Sequence, residues 1–278
     1  MANTIDQSFI TDYDSDVHAA YQQFGSKLRN TVRLKSLKPG QIARFPTLGA
    51  GIATDKARNG DVVPMNPVHA YKDVTSTDKY APEYIDKLDD IKNNIDERQL
   101  YARAGAGALG REVDDRVFTV MNAVTTNAIA VGSDGLSKTK LLQAIMALNA
   151  NDVPDDGDRW AVLGAQQWEE FINIAEVKSK DYITDLVWTR GTQVVDWRGI
   201  KWFFSSRCPL STTTRSCFLY HRSAVGLAEN AAITTLIDWV PQKAAWLVNS
   251  MMSCGAVIID EKGIVKISAS EASTALLA

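Results

Sequence analysis

Residues 40–77 most restrict what this chain can fold into, because the segment is long and short of large apolar residues. It is rich in glycine and proline, with β-prone pieces at 42–48 and 68–75 around a polar tip at 54–61. We expect a long extended hairpin. A segment of this length without its own core needs a partner surface in order to be ordered.

Apolar residues at helical spacing follow the hairpin. The pattern starts after Pro82 and continues in steps of three and four to Val124, which predicts a long helix that breaks near Asn93 and Asn94 and ends before Gly132. A second, short pattern (Val17, Tyr21, Phe24 and Leu28) predicts an amphipathic helix ahead of the hairpin.

The rest of the chain alternates between helix and strand signals. A helix is expected at 138–149, capped by Ser137. A second helix is expected from Ala165, with Trp168, Phe171, Ile172 and Ala175 on one face, and a third at 222–228. Strands are expected at 160–163, 192–195, 200–205, 218–221, 244–252, 255–259 and 264–268, with turns at 196–199 and 260–263.

Composition excludes several classes of protein. With 45% hydrophobic and 23% charged residues the chain is typical of folded proteins, and its net charge of -3 gives no global positive field for nucleic-acid binding. Three cysteines form neither a closed disulfide framework nor a Cys-x-x-Cys zinc motif, which favours a reducing compartment. Neither a signal peptide nor a membrane span is apparent.

Charge is segregated near the start of the chain. Residues 1–26 carry four aspartates and no Lys or Arg, whereas residues 27–44 carry only cations (Lys27, Arg29, Arg33, Lys35, Lys38 and Arg44). One interpretation is a solvated surface face. The other is that this cationic stretch contacts acidic surfaces of neighbouring copies, and we expect Arg33 and Arg44 to be among those contacts.

The string Gly105-Ala-Gly107-Ala-Leu-Gly110 matches a dinucleotide-binding pattern, so an NAD-binding oxidoreductase is one alternative. That site requires a preceding strand and a downstream acid, but helix-favouring residues precede the string and Thr125 lies about 20 residues further on. We expect instead a small-residue patch in the long helix. Close approach of another backbone would offset the helix-destabilising glycines, which makes Gly105 and Gly107 candidate contacts.

Other candidate catalytic or metal-binding residues lack the required spacing. The histidines (His18, His69 and His221) are far apart, the cysteines (Cys208, Cys217 and Cys254) are expected to be buried and inert, and the aspartates at 152, 155, 156 and 158 are expected to lie in an exposed loop. The sequence predicts no catalytic, cofactor or metal site.

Collinear motifs resemble one known family. They are Arg44-Phe45-Pro46-Thr47-Leu48-Gly49, Gly60, Leu88-Asp89, Asp96-x-Arg98-x-x-Tyr101, Ala108-Leu109, Asp114, and Gly255-Ala-Val-Ile-Ile-Asp260 with Gly263-Ile-Val-Lys-Ile. In this respect the chain resembles the major capsid proteins of tailed bacteriophages, especially the short-tailed podovirus type. The first block would lie in the extended loop, so Phe45 and Pro46 join the candidate assembly contacts.

The resemblance implies the α+β fold called the Hong Kong ninety-seven capsid fold. Its parts would be an N-terminal arm at 1–39, an extended loop at 40–80, a peripheral domain with a spine helix at 81–135, an axial α/β domain at 136–243, and closing strands of the peripheral domain at 244–278.

The implied function is structural and not enzymatic. Subunits would form hexamers and pentamers that close into an icosahedral head around double-stranded DNA, held without sequence specificity, after assembly in the host cytoplasm. The expected partners are other copies, a separate scaffolding protein and a portal protein, with a decoration protein left open and no membrane. The alternative within the same fold is an encapsulin, a cargo-loaded compartment that would need a groove for a cargo peptide.

Overall fold

The computed structural model describes residues 22–36, 42–92, 97–132, 135–174, 177 and 194–272. The helices are α1 (Lys87–Lys92), α2 (Glu97–Asn122), α3 (Lys138–Ala150) and α4 (Ala165–Ile172). The strands are β1 (Arg33–Ser36), β2 (Ile42–Leu48), β3 (His69–Thr75), β4 (Thr77–Asp86), β5 (Ala128–Ile129), β6 (Arg159–Leu163), β7 (Val195–Trp197), β8 (Ile200–Phe204), β9 (Leu210–Ser211), β10 (Thr214–His221), β11 (Val225–Val240), β12 (Ala245–Ile258) and β13 (Ile264–Ser270).

Contacts divide the chain into two units. The first contains Lys79–Gly110, Ile233–Met252 and the described residues before Ser26, and the second contains Ser26–Asp78, Arg111–Ala232 and the described residues from Ser253 onward. Strands β1, β11, β12 and β4 form one sheet in that order.

The extended hairpin is confirmed. Strands β2 and β3 pair antiparallel, from Ile42 opposite Thr75 to Leu48 opposite His69. Its base nevertheless has a core, contrary to the sequence-based expectation: Ala43, Phe45 and Val74 are buried in one cluster with residues of the same subunit, Ala228 and Ile259. Alternate residues of a strand share a face, so a few apolar side chains at the right parity anchor the base.

The long helix is confirmed as α2, but it does not begin at Pro82. Pro82 lies in β4, which is an edge strand of its sheet. Because one side of an edge strand is unpaired, a residue without an N–H need not cost a ladder hydrogen bond there. Helix α1 begins only after Asp86, whose Oδ1 accepts a hydrogen bond from the backbone N–H of Leu88 at 2.7 Å. The break predicted at Asn93 and Asn94 lies outside the described residues.

The prediction of a short amphipathic helix ahead of the hairpin is wrong for the described residues of that segment. Val17 and Tyr21 lie outside the described residues, and residues 22–28 are not helical. Gly25 has a φ of 76°, a left-handed conformation that interrupts a helix. Leu28 is buried whereas Phe24 is exposed, so the two do not share an apolar stripe.

The mixed α/β part is built on a sheet with the order β5-β13-β10-β6-β8-β7, and β9 pairs with β10. Helix α3 starts at the predicted cap, since Ser137 Oγ accepts from the N–H of Lys140. Strands β7 and β8 are joined by Arg198 and Gly199, both with positive φ (54° and 72°), as expected for a two-residue hairpin turn. Phe171 of α4 stacks on Trp202, with ring centroids 4.7 Å apart.

The longest strand was not predicted. The helix expected at 222–228 is only a 3-10 turn at Arg222–Ala224, after which β11 runs for 16 residues. Most of its residues from Glu229 onward are exposed, so no apolar alternation marked it. Strand β12 is likewise continuous where two strands were expected. Its Gly255 permits a close approach, because an added Cβ would lie 2.5 Å from the carbonyl oxygen of Thr75.

Gln167 provides a stability test. Its side chain is fully buried in α4, and neither Nε2 nor Oε1 has a hydrogen-bond partner. We expect Gln167→Met to raise the free energy of unfolding by about 1–2 kcal/mol, because it removes two unsatisfied polar groups at similar volume. The measurement is thermal unfolding. The matched control is Gln166→Met, which removes a bond to Glu170 and should not stabilise; a lower melting temperature for Gln167→Met alone would contradict the argument.

Candidate assembly surfaces

Arg44 is held by its own hairpin. Its Nε and Nη2 donate to the two carboxylate oxygens of Asp73, directly across the strand pair, at 2.8 and 3.0 Å. The guanidinium lies 3.8 Å from the ring centroid of Tyr71. The hydrogen bond from Arg44 lowers the pKa of Asp73. Asp73 therefore balances the charge of Arg44 within the same hairpin, and both side chains are exposed.

Phe45 and Pro46 point to opposite faces of β2. Phe45 is 1% exposed, and the tip of its ring packs against Gly226, where an added Cβ would lie 2.8 Å from Cζ. Pro46 is exposed. Phe45 therefore holds the base of the hairpin in its own subunit, and any effect of this residue on assembly would act through the position of the hairpin.

Arg33 and Lys35 alternate along β1 and both lie over the ring of Phe45, at 5.8 and 5.7 Å from its centroid. All four residues of β1 are exposed. The strand is an edge strand of its sheet and pairs in parallel with β11. Arg33 thus combines an exposed charge with an exposed strand edge.

Arg33 also lines a cavity of about 450 Å³ together with Leu34, Asp156, Asp158, His221, Arg222 and Ser223. The residue types of a hydrolase triad meet here: His221 Nδ1 lies 2.7 Å from Ser223 Oγ and 3.2 Å from the N–H of Ser223, and Nε2 lies 3.1 Å from Asp156 Oδ1. The hydrogen bond with His221 lowers the pKa of Asp156. The imidazole is 6% exposed and caps the turn at Arg222–Ala224, so it is part of the local structure of that turn.

The glycine string lies inside α2, so the strand-to-helix context of a dinucleotide site is missing. Gly107 is buried, and a Cβ added to Gly105 would lie 2.8 Å from Ser250 Oγ of β12. At Gly110 an added Cβ would lie 2.7 Å from Cα of Gly25. The predicted approach of another backbone is therefore confirmed at Gly110, with the partner in the same chain.

The role of Asp114 was not predicted from the sequence. This side chain of α2 is fully buried and accepts hydrogen bonds from residues 26–28. A signal was present, because Asp114 lies beside Val113 and one turn before Val117 and Phe118, which are all buried. A carboxylate in an apolar stretch of helix indicates a specific hydrogen-bonding partner.

The cysteines are free and buried, as predicted. Burial raises the pKa of Cys217 to about 12 and raises that of Cys208 well above its ordinary value. Because thiolates are the reactive form, we expect no reaction with a disulfide reagent at mildly alkaline pH in the native protein and reaction of all three thiols in denaturant. Absorbance of the released thiol measures both, and rapid native labelling of Cys208 or Cys217 would contradict the prediction.

Across the described ranges, no cluster of three or more His, Cys, Asp or Glu side chains is placed to hold a metal ion. No helix in this part of the chain is both long and apolar enough to cross a membrane.

Comparison with known families gives one match that covers most of the chain. The model of a family described as phage capsid protein matches residues 5–271. No curated protein matches.

Several solved structures share this fold. A structure described as the capsid of the cyanophage P-SCSP1u has a TM-score of 0.79 at 14% identity, covering 97% of this chain and 95% of that one. A structure from Mycobacterium phage Che8 has a TM-score of 0.74 at 17% identity, covering 94% and 97%. The capsid of a native GTA particle has a TM-score of 0.68 at 12% identity, covering 96% and 97%. The α+β capsid fold expected from the sequence is confirmed.

Proposed function

The chain belongs to the phage capsid protein family, and on that premise we propose that this structural capsid protein assembles into hexamers and pentamers that close into an icosahedral head around double-stranded DNA. The observation that carries the proposal is the distal part of the extended hairpin. Beyond its anchored base it exposes large apolar side chains, among them Ile52 (81% exposed), Val62 (74%) and Val68 (74%).

Exposed apolar side chains grouped in one segment mark an interaction surface. The base of the hairpin is fixed by Phe45 and Val74, so the distal part is carried by a rigid support. A neighbouring copy that covered this part would bury apolar surface worth about 25 cal/mol per Å² before ordering costs. Symmetry repeats such a contact around a ring, so modest contacts suffice to close a shell.

The outer half of β11 supports the same proposal. Ile233, Leu236, Ile237 and Trp239 are all more than 40% exposed in one strand. This is a second apolar surface that assembly would cover, and it belongs to the first unit, whereas the hairpin belongs to the second.

We further propose partners for the shell. A scaffolding protein and a portal protein would act during assembly in the host cytoplasm, DNA would be enclosed without sequence specificity, and a decoration protein is left open. Three expectations from the sequence stay predictions. They are the short-tailed podovirus type, the domain boundaries at 39, 80, 135 and 243, and the assembly contacts through Arg33, Arg44, Phe45, Pro46, Gly105 and Gly107.

Sedimentation velocity tests the proposal. The purified chain, alone and with its scaffolding protein, is expected to sediment as rings, shells or tubes over a range of salt and protein concentrations. A single species of monomer mass under all these conditions would contradict it.

A further inference from the structure

The tip of the extended hairpin is a tight turn formed by residues 57–60. The N–H of Gly60 donates to the carbonyl oxygen of Ala57 at 3.0 Å, which closes the turn. Asn59 is the third residue of the turn and has a φ of 64°, the left-handed conformation that a type II turn requires at that position. Asparagine adopts this conformation more readily than most residues that have a side chain. The turn therefore accounts for an asparagine at position 59.

The residue after Asn59 is a glycine, and this is the only Asn-Gly pair in the sequence. The side chain of Asn59 is exposed, and its amide makes no hydrogen bond to any residue that the structure describes. Because Gly60 has no Cβ, its backbone nitrogen is not shielded from the neighbouring side chain. Attack of this nitrogen on Cγ of Asn59 closes a five-membered ring, and such an intramolecular reaction benefits from a high effective concentration.

The reaction consumes only water. As the nitrogen of Gly60 bonds to Cγ of Asn59, the bond from Cγ to Nδ2 breaks, and the proton of the attacking nitrogen passes through solvent to the ammonia that leaves. The product is a cyclic succinimide. Water then cleaves the new N–Cγ bond, which gives aspartate, or the bond between the nitrogen and the backbone carbonyl carbon of residue 59, which gives isoaspartate with the chain running through Cγ.

The surroundings of the turn allow the ring to form. The loop below the turn is held together by a hydrogen bond from Thr54 Oγ1 to the carbonyl oxygen of Val63, at 2.9 Å. Residues 54–59 are all exposed, so no packed side chain has to move when the turn changes shape. The hydrogen bond between Gly60 and Ala57 must open first, and an exposed turn with few contacts opens at a low free-energy cost.

The same hairpin contains an internal control. Asn66 is also exposed and also has a positive φ, of 40°. It is followed by Pro67, whose ring nitrogen carries no hydrogen. A nitrogen that has no proton to lose cannot form the neutral succinimide. Asn66 therefore shares the exposure and the backbone region of Asn59 but lacks the reacting group.

We propose that Asn59 is a site of spontaneous deamidation, which gives the tip of the extended hairpin a negative charge as the protein ages. Residues 54–61 carry two acids and two cations: Asp55, Asp61, Lys56 and Arg58. The new carboxylate therefore leaves the tip with one net negative charge. Isoaspartate also adds a methylene group to the backbone inside the turn. The inference goes beyond the proposed function and does not depend on it, because it concerns the chemistry of the turn within one subunit.

The test incubates the purified subunit at mildly alkaline pH and follows residue 59 by peptide mapping with mass spectrometry. Released ammonia measures the first step, and methylation by an isoaspartyl methyltransferase, used as a probe, measures the isoaspartate. The matched variant is Gly60→Ala. The φ of Gly60 lies outside the left-handed region, and an added Cβ would lie 3.4 Å from the carbonyl oxygen of Ala57, a van der Waals contact. The variant therefore keeps the turn and shields the nitrogen with a methyl group.

In the native wild-type subunit we expect Asn59 to convert to aspartate and isoaspartate within about tenfold of its rate in the chain unfolded in guanidinium, because the exposed turn gives little protection. The rate should rise with pH, since the nitrogen attacks in its deprotonated form. Gly60→Ala should convert at least about tenfold more slowly, with an unchanged circular dichroism spectrum, because its methyl group hinders the attack. Asn66 should keep its amide in both proteins.

Two results would overturn the inference. One is an intact amide at Asn59 in the native subunit over a time in which the unfolded chain converts, which would show that the folded turn prevents ring closure. The other is an equal rate in the wild-type protein and in Gly60→Ala, which would show that the amide is not lost through the nitrogen of Gly60. Failure of the chain to assemble would count only against the proposed function.

Discussion

Replacing Phe45 with alanine is expected to lower the free energy of unfolding by about 3–5 kcal/mol, the usual cost of removing a buried phenylalanine. The ring is 1% exposed and packs against Gly226, with Arg33 and Lys35 over its face. The variant leaves a cavity under the hairpin base, and it removes the cation–π contacts that Arg33 and Lys35 make with the ring. Thermal unfolding of the purified subunit measures the effect.

The matched control is Leu48→Ala on the same strand. Leu48 is 60% exposed, so its truncation should change subunit stability by less than about 1 kcal/mol. Equal melting temperatures for Phe45→Ala and Leu48→Ala would show that the hairpin base is not anchored by this ring.

Replacing residues 50–67 by a two-residue Asn-Gly turn is expected to abolish shell formation while the subunit stays folded. Strands β2 and β3 remain, and their end is already closed by a hydrogen bond from the N–H of Gly49 to the carbonyl oxygen of Val68, at 2.8 Å. The deleted part holds exposed apolar side chains and contributes little to the core of its own subunit.

Circular dichroism measures whether the subunit stays folded, and sedimentation measures whether shells form. Native helix content with a subunit-sized or ring-sized species is the predicted result. Closed shells from the shortened chain would show that the distal hairpin is dispensable and would remove the main support for the proposed function.

Local signals accounted for the elements that the sequence predicted correctly. The cap at Ser137, the alternation in β2 and the turn before Ile200 are each set by a few adjacent residues. Strand β11 and the strand through Pro82 were missed because their pairing partners lie elsewhere in the chain, and local propensity does not record such pairing.

Candidate contacts were harder to predict for the same reason. Phe45 is a candidate assembly contact by sequence, and the structure adds that its ring packs against Gly226, far along the chain. The pair between Asp114 and Ser26 joins residues 88 positions apart. The glycines of α2 were informative, because their cost in helix propensity required a close neighbour, and Gly25 is that neighbour for Gly110.

Electron microscopy of particles purified from cells that express the chain with its scaffolding protein tests whether the chain forms a shell. We expect closed shells in which rings of five and six subunits are resolved, with the distal hairpin of each subunit lying on a neighbour. Particles that lack such rings, or a preparation that contains only separate subunits, would contradict it.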